Sequence, residues 1–288
     1  MGLHYLGVPF PMPACLTEDK RHRYMLTALQ FSKEFGWPHL EALPVENKTI
    51  SIIGYGPSLV DTWKNITRPI MTMSGAHDFL IEGGVIPDFH CDMDPRIHKV
   101  EMLTPHKEVK YLMATVCNPN FWPKLKGFDV SLWHAVSGDR TESFINRKYP
   151  EKSLMVSGGS CMGLVALHLA GCLGYNHFEL HGYDGSYRDE KRHAGAHGGY
   201  PHGTVDTKIW GKWYKTSKMM ENANYELQSV LQSFPIFCVF HGEGRNQRFA
   251  DLSELPNVAL HGTPRAESVR GGKVVYTTPE EAQKLLAA

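Results

Sequence analysis

Two segments of this chain share one pattern, in which a short apolar run ends in a glycine turn and continues as a helix. The first is TISIIGYGPSL at residues 49–59, and the second is SLMVSGGSCMGLVALHLAGCLGY at residues 153–175. A β-branched run followed by a glycine turn and a helix is the opening unit of a doubly wound sheet. The pattern therefore predicts an α/β protein with a Rossmann-like, mostly parallel sheet and helices on both faces.

Apolar runs and turn residues predict the remaining elements. Strands are predicted at residues 69–74, 85–95, 109–116, 128–136, 177–187 and 234–244. Helices are predicted at residues 17–35, 77–84 and 207–232, and a loop rich in glycine and histidine at 188–206. We divide the chain into an N-terminal segment with a covering helix (1–48), a nucleotide-binding catalytic domain (49–250) and a C-terminal extension (251–288).

Charge and composition narrow the functional classes. Lys+Arg and Asp+Glu both number 30, so the chain lacks the basic excess that general nucleic-acid binders carry. Prolines interrupt the N-terminal region and no apolar run reaches about 18 residues, which predicts neither a secretory signal nor a membrane span. Six scattered cysteines without a CxxC pair fit reduced thiols and a cytoplasmic protein. The sequence leaves the oligomeric state open, a homo-oligomer included.

The two glycine turns are candidate nucleotide sites, because glycine lets a phosphate approach the backbone at a helix start. The first turn has Pro57 where a dinucleotide fingerprint continues, and the second lacks the Lys of a P-loop. A structural turn and a simple helix cap remain the alternatives. The candidate residues are Gly54, Tyr55, Gly56, Pro57, Ser58, Ser157, Gly158, Gly159 and Ser160.

Acidic and histidine-rich segments are the other candidate sites. Asp92 and Asp94 lie two apart in a predicted strand, so both carboxylates share one face and could hold Mg²⁺ against a diphosphate. Capping of a loop is the alternative. The loop at 188–206 is too polar for a core and is typical of a mobile lid. Its histidines could act as a general base, and they match a zinc motif less well.

Taken in order, GYGPSL, IPDFHCDMDP and SGGSCMGLVALHLAGCLGYNHFELHGYDGSY resemble one superfamily. It joins the bacterial lipooligosaccharide sialyltransferases, the flagellin-glycosylation (motility-associated) factors and the archaeal hydroxymethylpterin diphosphokinase. The resemblance covers roughly residues 49–250. The sequence departs from the sialyltransferases at Tyr55 and near Ser74 or Gly75, where they carry asparagines. The DMDP segment is closer to the flagellin factors and the pterin kinases. Of these two groups, the pterin kinases use ATP and Mg²⁺.

The resemblance assigns roles to individual residues. It implies that His197 is the general base and that Tyr187 holds the leaving phosphate, together with Tyr183 or Tyr200. Gly182 and Asp184 match the family's strand-end motif, His193 matches the first of its two loop histidines, and Ser74 joins the nucleotide-binding set. The predicted catalytic residues are His197, Tyr187, Asp184 and His193.

Three functional hypotheses follow. The first is a glycosyltransferase that moves a sugar from a nucleotide-activated donor, such as a CMP-activated sugar, to an acceptor hydroxyl. The second is a Mg-ATP-dependent diphosphokinase of the hydroxymethylpterin type, with Asp92 and Asp94 as metal ligands. The third is a nucleotide-binding module without catalysis. The sequence leaves the acceptor open among a glycan, a protein, a pterin and a nucleic-acid base.

Overall fold

The computed structural model describes residues 16–137, 139–149, 154–156, 159–195 and 203–270. The strands are β1 Thr49–Ile53, β2 Ile70–Met73, β3 Phe89–Asp92, β4 Lys110–Ala114, β5 Asp129–Ala135, β6 Met155–Val156, β7 His177–His181, β8 Thr204–Ile209, β9 Lys212–Ser217, β10 Phe237–Phe240 and β11 Val258–Leu260. The helices are α1 Glu18–Phe35, α2 Leu59–Thr62, α3 Ala76–Glu82, α4 Ile97–Glu101, α5 Phe121–Lys124, α6 Arg140–Lys148, α7 Met162–Cys172, α8 Lys218–Ser233, α9 Arg245–Leu252 and α10 Pro264–Arg270.

Nine strands form one sheet in the order β11-β10-β7-β1-β2-β3-β4-β5-β6. All eight neighbouring pairs are parallel. The chain moves outward from β1 to β6 and then returns to the other side of β1 as β7, so the order reverses between these two strands. The predicted doubly wound α/β fold is confirmed, and ligands of such sheets bind at this reversal.

The central strands are buried on both faces, as their continuous apolar runs predict. Ile50, Ile52 and Ile53 of β1 are fully buried. Helix α7 is apolar nearly all round, and eight of its 11 residues are buried. Although it follows the edge strand β6, α7 packs back across β2 and β1, which places its first turn near the centre of the sheet.

The long helix predicted at residues 207–232 is wrong in its first part. Residues 204–217 form the antiparallel hairpin β8–β9 instead, and α8 begins only at Lys218. Trp210 and Gly211 form its turn with φ of 41° and 82°, which is the backbone that a two-residue hairpin favours. Alternating exposure along β8 suits a half-buried strand better than a helix.

The sheet continues beyond residue 250. Helix α9 crosses this predicted domain boundary, and β11 adds a parallel edge strand from the predicted C-terminal extension. Within the described ranges, no helix has both the length and the apolar character needed to cross a membrane.

Candidate active site

A cavity of about 220 Å³ lies at the carboxyl ends of β1 and β7. Its lining comes from residues 54–57 after β1, residues 73–74 at the end of β2, residues 182–186 after β7, residues 161–164 at the start of α7, one face of α8, Arg192 and His193, and Asn246 of α9. A second cavity of about 550 Å³ lies between α1 and α6, and no predicted site residue lines it. The switch-point cavity is therefore the candidate active site.

The glycines after β1 and β7 pack against each other. The Gly54 N–H donates to His181 O at 2.8 Å, and the Gly56 N–H donates to Gly182 O at 2.9 Å. A Cβ at Gly54 would lie 2.6 Å from Gly182 O, and a Cβ at Gly182 would collide with Gly54 O. Gly182 also has φ of 66°, a left-handed backbone that favours glycine. These glycines are thus needed for the contact between the two strand ends.

Asp184 fastens this junction. Its carboxylate accepts the Ser58 N–H at 2.9 Å and the Gln247 side-chain amide at 3.1 Å. Burial raises the pKa of Asp184 to about 6, although both hydrogen bonds work in the opposite direction. The amides of residues 54, 56 and 58 are all bonded within the protein, so the first turn lines the cavity without offering these donors to a phosphate.

The second glycine turn is described only in part. Ser157 and Gly158 lie outside the described residues. Both the N–H and the hydroxyl of Ser160 donate to one carboxylate oxygen of Glu226 on α8, each at 2.7 Å. The following residues 161–164 line the cavity. The turn after β6 therefore leads the chain to the same cavity as the turn after β1.

Tyr55 and His193 form one wall of the cavity. Their rings stack with centroids 5.4 Å apart and planes inclined by 18°. Nδ1 of His193 lies 3.2 Å from Tyr55 O. Because a carbonyl only accepts, Nδ1 of His193 is the donor in this contact. The start of the predicted loop is thus docked on the first glycine turn.

The tyrosines differ in their positions. Tyr183 lines the cavity, and its hydroxyl donates to Gly163 O at 3.0 Å. Tyr187 is outside the lining, its backbone N–H donates to Lys215 O, and its hydroxyl is buried without a hydrogen-bond partner among the described residues. The predicted base His197, with Tyr200 and His202, lies outside the described residues.

The acidic segment lies beside the cavity. Asp92 ends β3 and is 4% exposed, and its Oδ1 accepts the Asp94 N–H at 2.7 Å. Burial raises the pKa of Asp92 to about 6 against the pull of Lys99. Lys99 also donates to the hydroxyl of Ser74, which lines the cavity. Arg96 holds the Asp94 carboxylate with a 2.9 Å hydrogen bond from Nε.

The side chains of Asp92 and Asp94 do not make a metal site on their own. The Arg96 guanidinium already occupies the Asp94 carboxylate, and one oxygen of Asp92 is bonded to the backbone. Across the described ranges, no group of three or more His, Cys, Asp or Glu side chains has the arrangement of a metal site. The side chains present do not fit a Mg²⁺ ion held by the protein alone, so we derive no step through a metal.

Several residues of the site were missed in the sequence. Asn224 of α8 donates to Gly185 O, and Asn246 of α9 donates to Tyr183 O, each at 2.9 Å. Both line the cavity, as does Arg192. The segment FHGEGRNQRF offered a signal for Asn246, because it places a glycine turn after a strand just as the segments at 54 and 182 do.

Comparisons with known proteins identify a matching family and a similar solved structure. The family model for the 6-hydroxymethylpterin diphosphokinase MptE-like family matches residues 25–190. Among solved structures, the MAf glycosyltransferase from Magnetospirillum magneticum AMB-1 is similar, with a TM-score of 0.62 and 17% sequence identity. The match covers 93% of this chain but only 41% of that protein, so this chain spans about two fifths of its length. No curated protein matches the sequence.

Proposed function

The chain belongs to the 6-hydroxymethylpterin diphosphokinase MptE-like family, and we propose that it is a glycosyltransferase that uses a nucleotide-activated sugar as donor. The observation that carries the proposal is the cavity at the β1–β7 switch point, with Arg192 and His193 in its wall and Asp92 outside it. A cavity of this kind suits a phosphate-linked donor whose charge is met by cationic and hydrogen-bonding side chains. The fold of this chain is similar to that of a glycosyltransferase, which supports the same class of enzyme.

In the proposed reaction, an acceptor hydroxyl oxygen attacks the anomeric carbon of the donor sugar. The bond from that carbon to the nucleotide phosphate oxygen breaks, and the phosphate leaves with the electron pair. His197 takes the hydroxyl proton, in the role that the resemblance implies for it. His193 holds the loop on Tyr55, and Asp184 positions the turn after β1 rather than touching the substrate.

The leaving phosphate needs hydrogen-bond donors. Tyr187 has this role in the resemblance, yet its hydroxyl is buried away from the cavity lining. Arg192 lines the cavity and is the cationic side chain next to His193. We therefore assign the stabilisation of the leaving phosphate to Arg192, with Tyr187 as a supporting residue of the same loop.

A binding panel tests the proposal. CMP, CDP, UDP, GDP and ATP are titrated with and without Mg²⁺ by thermal shift and calorimetry, since a bound nucleotide raises the melting temperature by mass action. We expect a pyrimidine nucleotide to bind without Mg²⁺. Binding of ATP only with Mg²⁺ would favour the diphosphokinase hypothesis instead. The DMDP segment and the description of the family support that hypothesis. If none of the five nucleotides binds, both the glycosyltransferase and the diphosphokinase hypotheses are refuted.

Two histidine variants separate the proposed roles. His197→Ala should lower kcat by about 10²–10⁴-fold with nucleotide affinity nearly unchanged, because a general base acts on the chemical step. His193→Ala should mainly raise KM, because it releases the stacking on Tyr55 and the hydrogen bond to its carbonyl. If His193→Ala lowers kcat and His197→Ala does not, the base is His193.

A further inference from the structure

The part of the candidate cavity that α7 and α8 form is an apolar wall. Its larger side chains are Met162 and Leu164 at the start of α7, and Met219, Met220 and Leu227 on α8. Residues 219, 223 and 227 are four apart, so their side chains follow one face of α8. Asn224 is the polar side chain of this face, and its amide already donates to Gly185 O at 2.9 Å. Among the described lining residues, this wall therefore offers a ligand apolar contact and no charge.

The methionines of the apolar wall are accessible in the free protein. Met219 is 50% exposed, and Met162 and Met220 are half-buried. Apolar side chains that share a cavity and remain accessible are typical of a ligand site, because burial of their surface is favourable. Methionine side chains are flexible and polarisable, so they adapt to apolar groups of varied shape. A sugar ring fits this wall poorly, because its hydroxyls would be buried without hydrogen-bond partners.

The charged and hydroxyl side chains of the lining come from other elements. Arg192 and His193 belong to the loop after β7, and Ser74 follows β2. His193 is docked on Tyr55, which places this polar part of the lining at the turn after β1. The cavity thus combines a polar part, which suits a phosphate-linked donor, with a wall that suits an apolar group. A single cavity of this kind fits two substrates of different polarity.

We propose that the acceptor carries an apolar chain of the alkyl or acyl type, which packs on the apolar wall of α7 and α8. The inference deepens the proposed function, on which it rests for the existence of an acceptor. In the proposed reaction, Arg192 and His193 meet the charged part of the donor, which leaves the apolar wall to the other substrate. The acceptor is then an amphiphile whose hydroxyl points to the donor and whose chain contacts the methionines.

A series of alkyl glucosides tests the inference without a donor. Methyl, butyl, hexyl and octyl β-glucoside, each below its critical micelle concentration, are titrated by calorimetry into the wild type and the variants. Affinity should rise about fourfold per added methylene from butyl to octyl. Met219→Gln and Met220→Gln replace a thioether with an amide of similar length, and each should bind octyl glucoside about 3–10-fold more weakly, with methyl glucoside unchanged. The control is Leu26→Gln, at a 42% exposed residue that lines the second cavity, and it should bind the series like the wild type.

The dependence of affinity on chain length decides the outcome. The inference is overturned if affinity does not rise with chain length in the wild type, or if neither methionine variant weakens the binding of octyl glucoside. Loss of octyl binding in Leu26→Gln also overturns it, because the chain then binds between α1 and α6. CMP, titrated in parallel, should bind Met219→Gln like the wild type, and a loss there would assign the wall to the nucleoside instead. Chain-length dependence that requires Met219, in a protein that binds no nucleotide, would support the apolar wall and refute the nucleotide donor.

Discussion

The junction of β1 with β7 and the acidic segment after β3 lie at the same edge of the sheet, but they hold their polar groups differently. At the junction, Asp184 accepts two hydrogen bonds from distant parts of the chain, and none of the ion pairs between described residues includes it. In the acidic segment, Asp94 is neutralised by Arg96, and Asp92 faces Lys99. Burial raises the pKa of both Asp184 and Asp92 to about 6.

The difference indicates that the junction is a rigid scaffold and that the acidic segment is an adaptable surface. The junction has no spare room and its central amides are all bonded, so small changes there should affect folding before they affect chemistry. The acidic segment depends on flexible lysine and arginine side chains, which a ligand could displace at low energetic cost. The pKa values of Asp184 and Asp92 are raised alike, but the two regions should respond differently to mutation because their polar groups are held differently.

The largest effect is expected for Gly182→Ala. The added Cβ would collide with the backbone of Gly54. The alanine would also have to keep the left-handed φ of 66° that Gly182 has. Overpacking and left-handed strain together should reduce the free energy of unfolding by about 3 kcal/mol or more. Urea denaturation followed by circular dichroism measures this change.

Gly84→Ala is the matched control for that variant. Gly84 has φ of 82°, but a Cβ there would have no neighbour within 4 Å. It isolates the backbone term, expected at about 1 kcal/mol. Equal losses in the two variants would show that the close approach of β1 and β7 adds nothing, and the proposed distinction between the two regions would fail.

Asp184→Ala should have the next largest effect. It leaves the buried Ser58 N–H and the Gln247 amide without their shared acceptor. Unsatisfied buried donors should cost about 2 kcal/mol, partly offset by removal of a desolvated carboxylate. Asp92→Ala, at an aspartate of similar burial, should cost less, because it leaves a single backbone N–H without its acceptor. Parallel denaturation of both variants gives the comparison, and a larger loss for Asp92→Ala would reverse the assignment.

The sequence predicted the architecture because its strongest signals are local. The runs at 49–53 and 177–181 are short, each is followed directly by a glycine, and both became central parallel strands. The hairpin at 204–217 was missed because Lys208, Lys212 and Lys215 suit a helix as well as a strand. The turn at Trp210–Gly211 distinguishes the two, and the hairpin packs against α9.

The candidate site was predictable as a location more than as a mechanism. Gly54 and Asp184 do lie at the switch point, but pattern alone could not show that they bond each other's segments across more than 120 residues. Asn224 and Asn246 lie on α8 and α9, and their contacts with the segment after β7 depend on the whole fold. Such long-range contacts carry no local signature, and only a resemblance or a structure reveals them.

The smallest effect below pH 4 is expected for Asp92→Asn, because Asp92 is itself protonated there, and the pH dependence of this variant is the sharper measurement. The pKa of Asp92 rises from 3.8 to about 6 on folding, so between these pH values the folded chain keeps a proton that the unfolded chain has released. Stability contributed by this group therefore falls as pH rises through 4–6, by about 3 kcal/mol in all. Asp92→Asn should flatten this fall, because the amide cannot ionise, and should therefore raise stability at pH 7 by up to about 3 kcal/mol relative to the wild type.

Asp94→Asn, two residues away, should respond in the opposite direction. Burial works to raise the pKa of Asp94, but the hydrogen bonds from Arg96 outweigh it, and the pKa lies below its ordinary value. Its contribution to stability is present above pH 4 and is lost as pH falls, so Asp94→Asn should weaken the protein at pH 7 and little at pH 3. Denaturation curves from pH 3 to 8 distinguish the two variants. If both variants shift stability in the same direction across this range, Asp92 and Asp94 titrate as one coupled pair and are not compensated separately by Lys99 and Arg96.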